Sequence, residues 1–178
     1  MTRRLPLLCL SIGLAATAAS LARPANAQMS PHNAQAGARV LSFLLPPLSG
    51  PVTAAIVYKP GDPASESEAQ AIQQSLGEGL VVGPMTLKPR RVATDALGGL
   101  AGAKVAFITR GANYRAIAAA AAQRGIIAIS SDAGCVESGF CAVTISSGAK
   151  IQITVSRAAC KAAGIRFGAA FLMLVKEI

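Results

Sequence analysis

The chain has 178 residues, of which 52% are hydrophobic and 4% aromatic, with no tryptophan and a formal net charge of +9. So few aromatic residues leave no stacking platform for single-stranded nucleic acid. The positive charge therefore indicates solubility or an anionic surface rather than a nucleic-acid partner.

The first 27 residues have the organisation of a secretory signal peptide. A basic MTRR start leads into the apolar stretch LPLLCLSIGLAATAASLA and then to PANAQ, which offers an A-x-A cleavage site. The apolar stretch is short and rich in Ala, Ser and Thr, so we do not expect it to stay as a membrane anchor. Cleavage after Ala27 would leave residues 28–178 as one periplasmic domain that is not inserted in the membrane. It would remove three of 17 basic residues and none of 8 acidic residues, which leaves a net charge of +6.

The first predicted element is a helix that starts near residue 30. Ser30 is a favoured N-cap and Pro31 a favoured first helical residue. The helix should end at the prolines 46–47, because proline removes a donor and clashes with the preceding turn. Its apolar face would consist of Val40, Phe43 and Leu44.

The middle of the chain alternates between predicted strands and helices. Apolar, β-branched runs predict buried strands at 51–60, 104–109 and 126–130, and helices are predicted within 61–79 and 113–125. This alternation is typical of βαβ units and a parallel sheet.

Two stretches in the middle of the chain are less regular. LVVGPMTLKPRRVA, residues 80–93, predicts an interrupted edge strand because a glycine and two prolines break the run. Its basic KPRR segment fits a solvated edge better than a binding patch. TDALGGLAG, residues 94–102, predicts a short capped helix.

The C-terminal region predicts a hairpin followed by two helices. Residues 141–147 and 150–156 alternate as paired strands do, Ser156 would cap a helix that ends at Gly164, and a last helix follows. Its core residues would be Phe171, Leu172, Leu174 and Val175. The predicted fold class is α/β, a single-domain three-layer fold with a mixed, mostly parallel sheet and a C-terminal hairpin.

The segment DAGCVESGFCA places Cys135 and Cys141 six positions apart, which raises three alternatives: a metal site, a redox centre or a disulfide. A structural zinc normally needs four ligands at closer spacings, and the sole histidine, His32, is predicted to lie in a mobile N-terminal segment. A redox C-x-x-C motif is absent. Export favours a disulfide that fixes the shape of a loop. Cys160 then fits a small core-facing helix residue better than a reactive thiol or an intermolecular bridge.

The sequence offers little that predicts catalysis. It has no G-x-S-x-G elbow, its acidic residues are scattered, and the glycines of GEGLVVG do not match a dinucleotide or phosphate loop. We therefore predict that the protein is not an enzyme and has no cofactor and no metal.

Polar residues follow three of the predicted strands, as Tyr58-Lys59, Thr109-Arg110 and Ser130-Ser131-Asp132. Ligands of α/β proteins bind at the carboxyl ends of parallel strands, so this set could hold a small anion or an amino acid. The candidate ligand-binding residues are Lys59, Thr109, Arg110, Ser131 and Asp132. Strand ends are also polar where loops are merely solvated, and that plainer explanation ranks first.

The segments ISSDAGCVESGFCAVTI and KIQITVSRAACKAAGIRFGAAFLMLVKEI resemble the YfiR-like periplasmic proteins, in which a cysteine loop precedes a hairpin and Ala-rich, then Leu/Met-rich, helices. The resemblance covers residues 126–178 and extends more loosely upstream, through ARVLSFLLPP and LAGAKVAFIT. Some members of the family carry a second cysteine pair with one partner in the strand that matches KVAFIT, and here Ala103 and Ala106 occupy that region. The WP ending often seen after the first helix is replaced by Leu45-Pro46, and Cys160 is extra.

The resemblance implies a non-enzymatic regulator that binds the external sensor domain of an inner-membrane diguanylate cyclase and represses it, with redox state able to alter the repression. The alternative is a solute-binding protein that uses the carboxyl edge of its sheet. A structural protein of the cell envelope is a third possibility, and the oligomeric state, including a homodimer, stays open.

Overall fold

A computed structural model describes residues 28–147 and 150–178. The predicted signal peptide, residues 1–27, lies outside the described residues. The helices are α1 Pro31–Val40, α2 Pro63–Leu76, α3 Tyr114–Arg124, α4 Ala133–Glu137, α5 Arg157–Ala162 and α6 Ala169–Leu172, with 3-10 turns at Leu41–Phe43 and Leu97–Leu100. The strands are β1 Gly50–Tyr58, β2 Leu80–Val82, β3 Met85–Ala93, β4 Ala103–Ile108, β5 Ile127–Ser130, β6 Val143–Ser147, β7 Ile151–Val155 and β8 Lys176–Glu177.

The eight strands form one mixed sheet in the order β2-β3-β1-β4-β5-β6-β7-β8. Strands β3, β1, β4, β5 and β6 are parallel neighbours. The antiparallel pairs are β2 with β3 and β6 with β7, and β7 pairs in parallel with β8. The predicted parallel centre and the C-terminal hairpin are both confirmed.

The sheet buries both of its faces, which makes three layers. Alternate residues along β1 point to opposite sides, so Ile56 belongs to a core shared with α1 and α2, whereas Val57 belongs to a core shared with α3 and the cysteine loop. Continuous apolar runs are required by a sheet covered on both faces. The predicted α/β three-layer class is therefore confirmed.

Local sequence signals set the ends of two helices. Ser30 caps α1 by accepting a hydrogen bond from the Asn33 amide at 3.1 Å, with Pro31 as the first helical residue. At the C-terminal end of α3, Gly125 adopts a left-handed conformation with φ 62°, which a residue with a Cβ rarely does.

Helix α1 lies very close to the sheet because residue 37 is glycine. A Cβ added to Gly37 would stand 3.0 Å from side-chain carbons of Phe107 and Ile145. A larger residue would push α1 away from the first core.

Two predictions about the N-terminal half need correction. His32 does not lie in a mobile segment, because it occupies the first turn of α1, where it is exposed. Residues 94–102 contain a 3-10 turn without a side-chain cap rather than a capped helix. The interrupted strand at 80–93 is confirmed as β2 and β3, and β3 from Lys88 onward has no β2 partner, which leaves that part at the sheet edge.

The predicted last helix is wrong in length and in burial. Helix α6 has only four residues, and Phe171 is the only one of them that is buried; Leu172 and Val175 are half-buried, and Leu174 is 81% exposed. The chain turns instead into β8, and directly after it the Ile178 amide donates to the Val155 carbonyl at 3.0 Å. Backbone pairing with β7 thus replaces the helical hydrogen bonds that the apolar pattern predicted.

The cysteine predictions are confirmed. Cys135 and Cys141 form a disulfide with a Cα–Cα distance of 5.2 Å, and both side chains are fully buried beside α3. Cys160 is a free, buried thiol on α5, and burial raises its pKa to about 11.

Candidate functional site

The predicted polar residues meet at one edge of the sheet. Strands β1, β4 and β5 are neighbours and parallel, so residues 58–59, 109–110 and 130–132 follow their carboxyl ends side by side. The chain leaves β1 toward β3 on one side and later crosses to β4 on the other. This makes a topological switch point between β1 and β4, the position where open α/β sheets bind ligands. We call this region the carboxyl edge.

Two buried hydroxyls join β1, β4 and α2 at the carboxyl edge. Ser65 and Thr109 are both fully buried, with their oxygens 2.6 Å apart. The Thr109 hydroxyl donates to the Val57 carbonyl at 3.1 Å, and the Ser65 oxygen accepts from the Lys59 amide at 2.8 Å. The proton between the two oxygens therefore comes from Ser65. The hydroxyl of Thr109 therefore bonds within the protein, to Ser65 of α2 and to the Val57 carbonyl of β1, and it joins these elements to β4.

A buried carboxylate ties the start of the described chain to the same edge. Glu68 on α2 is 4% exposed and accepts from the Met29 amide at 2.7 Å and from the Arg110 amide at 2.9 Å. Burial raises the pKa of Glu68, and the two amide donors oppose that rise in part. Met29 is itself buried, so the segment that precedes α1 is fixed against α2.

Asp132 organises the end of β5. One carboxylate oxygen caps α4 by accepting from the Gly134 amide at 2.9 Å, and the other accepts from the Tyr114 hydroxyl at 2.9 Å. Burial, and then this hydrogen bond to Asp132, raise the pKa of Tyr114, so the phenol stays protonated and remains a donor.

Ser131 differs from its neighbour Ser130. The Ser130 hydroxyl donates to the Ile108 carbonyl at 3.1 Å and accepts from the Asp132 amide at 3.2 Å. Ser131 is 4% exposed as a residue, and its hydroxyl is buried without a hydrogen-bond partner among the described residues. A buried polar group without a partner costs roughly 1–3 kcal/mol. A polar ligand atom at Ser131 would remove that cost.

Charges of both signs surround this edge. Lys59 is exposed and Arg110 is half-buried, while Asp132 is half-buried on the β5 side. An amino acid carries one anionic and one cationic group, which are complementary to the cations of Lys59 and Arg110 and to the carboxylate of Asp132. Among the described residues, no group of three His, Cys, Asp or Glu side chains is placed to hold a metal ion.

Sequence reasoning missed three residues of the carboxyl edge: Ser65, Glu68 and Tyr114. Ser65 and Glu68 lie three residues apart on the first turns of α2, directly after β1, so both point to the same side of the helix. That spacing in the first βα connection is a signal that could have identified them. Tyr114 begins α3 directly after β4 and offers the same kind of signal.

Comparison with known proteins relates the chain to others only through its fold. No family model and no curated protein matches the sequence. A conserved domain protein from Vibrio cholerae matches over 83% of this chain with a TM-score of 0.60 and 12% identity. The ligand-free, open form of a substrate-binding protein with adhesive properties from Clostridium difficile matches over 84% with a TM-score of 0.61 and 10% identity.

A third similar structure is an ABC domain in complex with L-Trp from Streptococcus pneumonia, which matches over 81% of this chain with a TM-score of 0.59 and 10% identity. The chain spans 59% of the length of each of these three proteins. At such identities the likeness establishes the α/β fold alone. No helix among residues 28–147 and 150–178 is long and apolar enough to cross a bilayer.

Proposed function

We propose that this protein is a non-enzymatic binding module that takes a small polar solute of the amino-acid class at the carboxyl edge. The observation that carries the proposal is the buried hydroxyl of Ser131, which has no partner among the described residues. Ser131 follows the end of β5, which pairs with β4. The topological switch point lies on the other side of β4, between β1 and β4. Two of the similar folds belong to proteins described as substrate-binding or as bound to L-Trp, which supports the same class of function.

The arrangement of charge selects the class of ligand. A zwitterion would direct its carboxylate toward Lys59 and Arg110 and its ammonium toward Asp132, with Ser131 contributing one hydrogen bond. Buried hydrogen-bonding groups reject ligands that leave them unpaired. Thr109, Ser65 and Glu68 hold this frame in shape through their hydrogen bonds to the protein.

The test is a thermal-shift screen of the full chain with amino acids and small organic anions, repeated on Ser131→Ala. A ligand present at a hundred times its Kd stabilises the folded state by about 2.7 kcal/mol. We expect at least one amino acid to raise the Tm of the unsubstituted chain and to raise that of Ser131→Ala less. Ser138→Ala, at an exposed serine, is the matched control and should respond like the unsubstituted chain. A screen without any shift, or equal shifts in all three proteins, contradicts the proposal.

A second function, repression of a membrane-bound diguanylate cyclase from the periplasm, is favoured by an exposed apolar patch. Met173 is 85% exposed and Leu174 is 81% exposed. Phe43 stacks on Phe171 at 4.7 Å, and Leu45 also lies close by, since its amide donates to the Arg166 carbonyl at 2.8 Å. We call Phe43, Leu45, Met173 and Leu174 the α6 patch. Exposed apolar surface of this kind is typical of protein interfaces, and Met173 and Leu174 lie within residues 126–178, which resemble YfiR-like proteins.

The repression hypothesis is tested by cyclic-di-GMP levels in cells. Deletion of the protein should raise the level, and Met173→Ser with Leu174→Ser should raise it to the same extent. Val81→Ser, at an exposed apolar residue of β2, is the control and should leave the level unchanged. An unchanged level in the deletion strain contradicts this function and leaves solute binding untouched.

A further inference from the structure

A cleft lies at the far end of the sheet from the carboxyl edge. It is bounded by β7, β8, α5 and the segment that leads into α6, and its volume is about 410 Å³. Sites for small organic ligands typically measure about 300–1,000 Å³. We call it the β7–β8 cleft.

The lining of the β7–β8 cleft is apolar. It includes Val155 and Phe167, which are buried, Ile165 and Leu172, which are half-buried, and the thiol of Cys160. Burial raises the pKa of Cys160 to about 11, so this thiol stays neutral and does not repel an anion. The lining suits an aliphatic chain.

The rim of the same cleft is cationic. Lys161 and Arg166 line it with exposed side chains, and neither side chain has a hydrogen bond or ion pair within the described part of the chain. Arg157 and Glu177 also line it, and they are paired with each other at 2.7 Å. The rim therefore keeps two uncompensated positive charges beside an apolar surface.

We propose that the β7–β8 cleft binds an amphipathic carboxylate, with its aliphatic tail on the apolar lining and its head group between Lys161 and Arg166. A guanidinium offers a planar pair of donors that matches a carboxylate. The ammonium of Lys161 would neutralise the same head group. This site is separate from the carboxyl edge and does not depend on solute binding there.

The first test varies the ligand. Binding of hexanoate, octanoate and decanoate to the full chain is measured by isothermal titration calorimetry below the concentrations at which they form micelles. Each added pair of methylenes that enters the cleft should raise affinity about tenfold. Decyltrimethylammonium has the same tail as decanoate and the opposite charge, and it should bind much more weakly. Equal affinity for both head groups, or no dependence on tail length, overturns the proposal.

The second test varies the rim. Lys161→Gln with Arg166→Gln should reduce decanoate affinity by at least about tenfold, since it removes both charge-assisted contacts. Lys88→Gln with Lys104→Gln removes the same charge at exposed positions of β3 and β4 and is the control. Equal losses in the two double variants would mean that net charge alone attracts decanoate, which overturns the site.

The third test uses Cys160 as a reporter that needs no substitution. Decanoate should slow alkylation of this thiol by N-ethylmaleimide, followed at the Cys160 peptide by mass spectrometry. Acetate, which has the head group without the tail, should not slow it. Alkylation at the same rate with saturating decanoate places the ligand elsewhere and overturns the proposal. Ser131→Ala should leave decanoate binding intact, which separates this site from the carboxyl edge.

Discussion

The carboxyl edge and the β7–β8 cleft belong to one sheet but have opposite chemistry. At the carboxyl edge, Ser65, Glu68 and Thr109 are buried polar groups whose hydrogen bonds join β1, β4 and α2. In the cleft, apolar groups form the lining, and the charges of Lys161 and Arg166 stand exposed at the rim. The contrast teaches that polar residues at a site can serve the fold or a ligand, and that partners and burial distinguish the two roles.

The comparison predicts that the hydrogen-bonded polar groups of the carboxyl edge are costly to remove, and the largest effect should come from Glu68→Ala. This change leaves the amides of Met29 and Arg110 without their acceptor. Each unsatisfied amide costs roughly 1–3 kcal/mol, so we expect the two together to lower the free energy of unfolding by about 2–6 kcal/mol. Chemical denaturation measures it. Glu66→Ala, at an exposed position of the same helix, is the control, and a similar loss in both variants would contradict the assigned role of Glu68.

The cysteine loop that follows β5 sharpens the comparison, because neither of its cysteines lines the cleft. Cys135→Ala with Cys141→Ala should lower the free energy of unfolding by about 2 kcal/mol, the chain-entropy value for a small ring. Affinity of the cleft for decanoate should stay the same. Lost decanoate binding in this variant would show that the two regions are coupled.

Thr109→Val tests whether a predicted ligand-binding residue acts mainly through the fold. The change removes the hydroxyl that contacts Ser65 at 2.6 Å and the Val57 carbonyl at 3.1 Å. We expect a loss of about 1–2 kcal/mol in unfolding free energy. Ser131→Ala removes a hydroxyl that has no partner in the described part of the chain, so it should cost nothing measurable or stabilise slightly. Equal losses of unfolding free energy in the two variants would contradict the conclusion that Thr109 serves the fold whereas Ser131 is available to a ligand.

Glu68 should also make the free energy of unfolding depend on pH, with a smaller effect than the substitutions above. Because the folded pKa of Glu68 lies above its ordinary value of 4.5, the folded state holds this proton more tightly than the unfolded state. Stability from this group is therefore complete below that value and falls as pH rises toward the folded pKa. Glu68→Gln, which cannot ionise, should lack the fall. Parallel stability curves for the two proteins would contradict the raised pKa.

The smallest effect is expected at the rim of the cleft. Lys161→Gln with Arg166→Gln should change the unfolding free energy by less than about 0.5 kcal/mol, as exposed substitutions usually do. A large loss would mean that these cations serve the fold, and the comparison of the two regions would fail.

Much of the sheet was predictable, because a strand covered on both faces must be apolar throughout. The runs at 51–60 and 104–109 have that property, and they became β1 and β4. The end of the chain was not predictable in the same way. Phe171, Leu172 and Leu174 fit a helical pattern, but the choice between a helix and a strand beside β7 depends on long-range backbone pairing.

The carboxyl edge was predictable in position but not in detail. Parallel strands align their ends, so Lys59, Thr109 and Ser131 could be grouped from the sequence. The sequence does not reveal that the Ser65 and Thr109 hydroxyls are hydrogen-bonded to each other, or that Ser131 has no partner among the described residues. Both facts follow from side-chain geometry between segments far apart in the chain.

The most direct test of separate sites is a two-dimensional ¹H–¹⁵N NMR titration of the labelled full chain, first with each amino acid and then with decanoate. We predict that an amino acid moves amide signals of residues 59, 109–111 and 130–134, and that decanoate moves those of residues 155–177. If no amino acid moves a signal at the carboxyl edge, or if both ligands move the same amides, the assignment of a polar solute to that edge is contradicted.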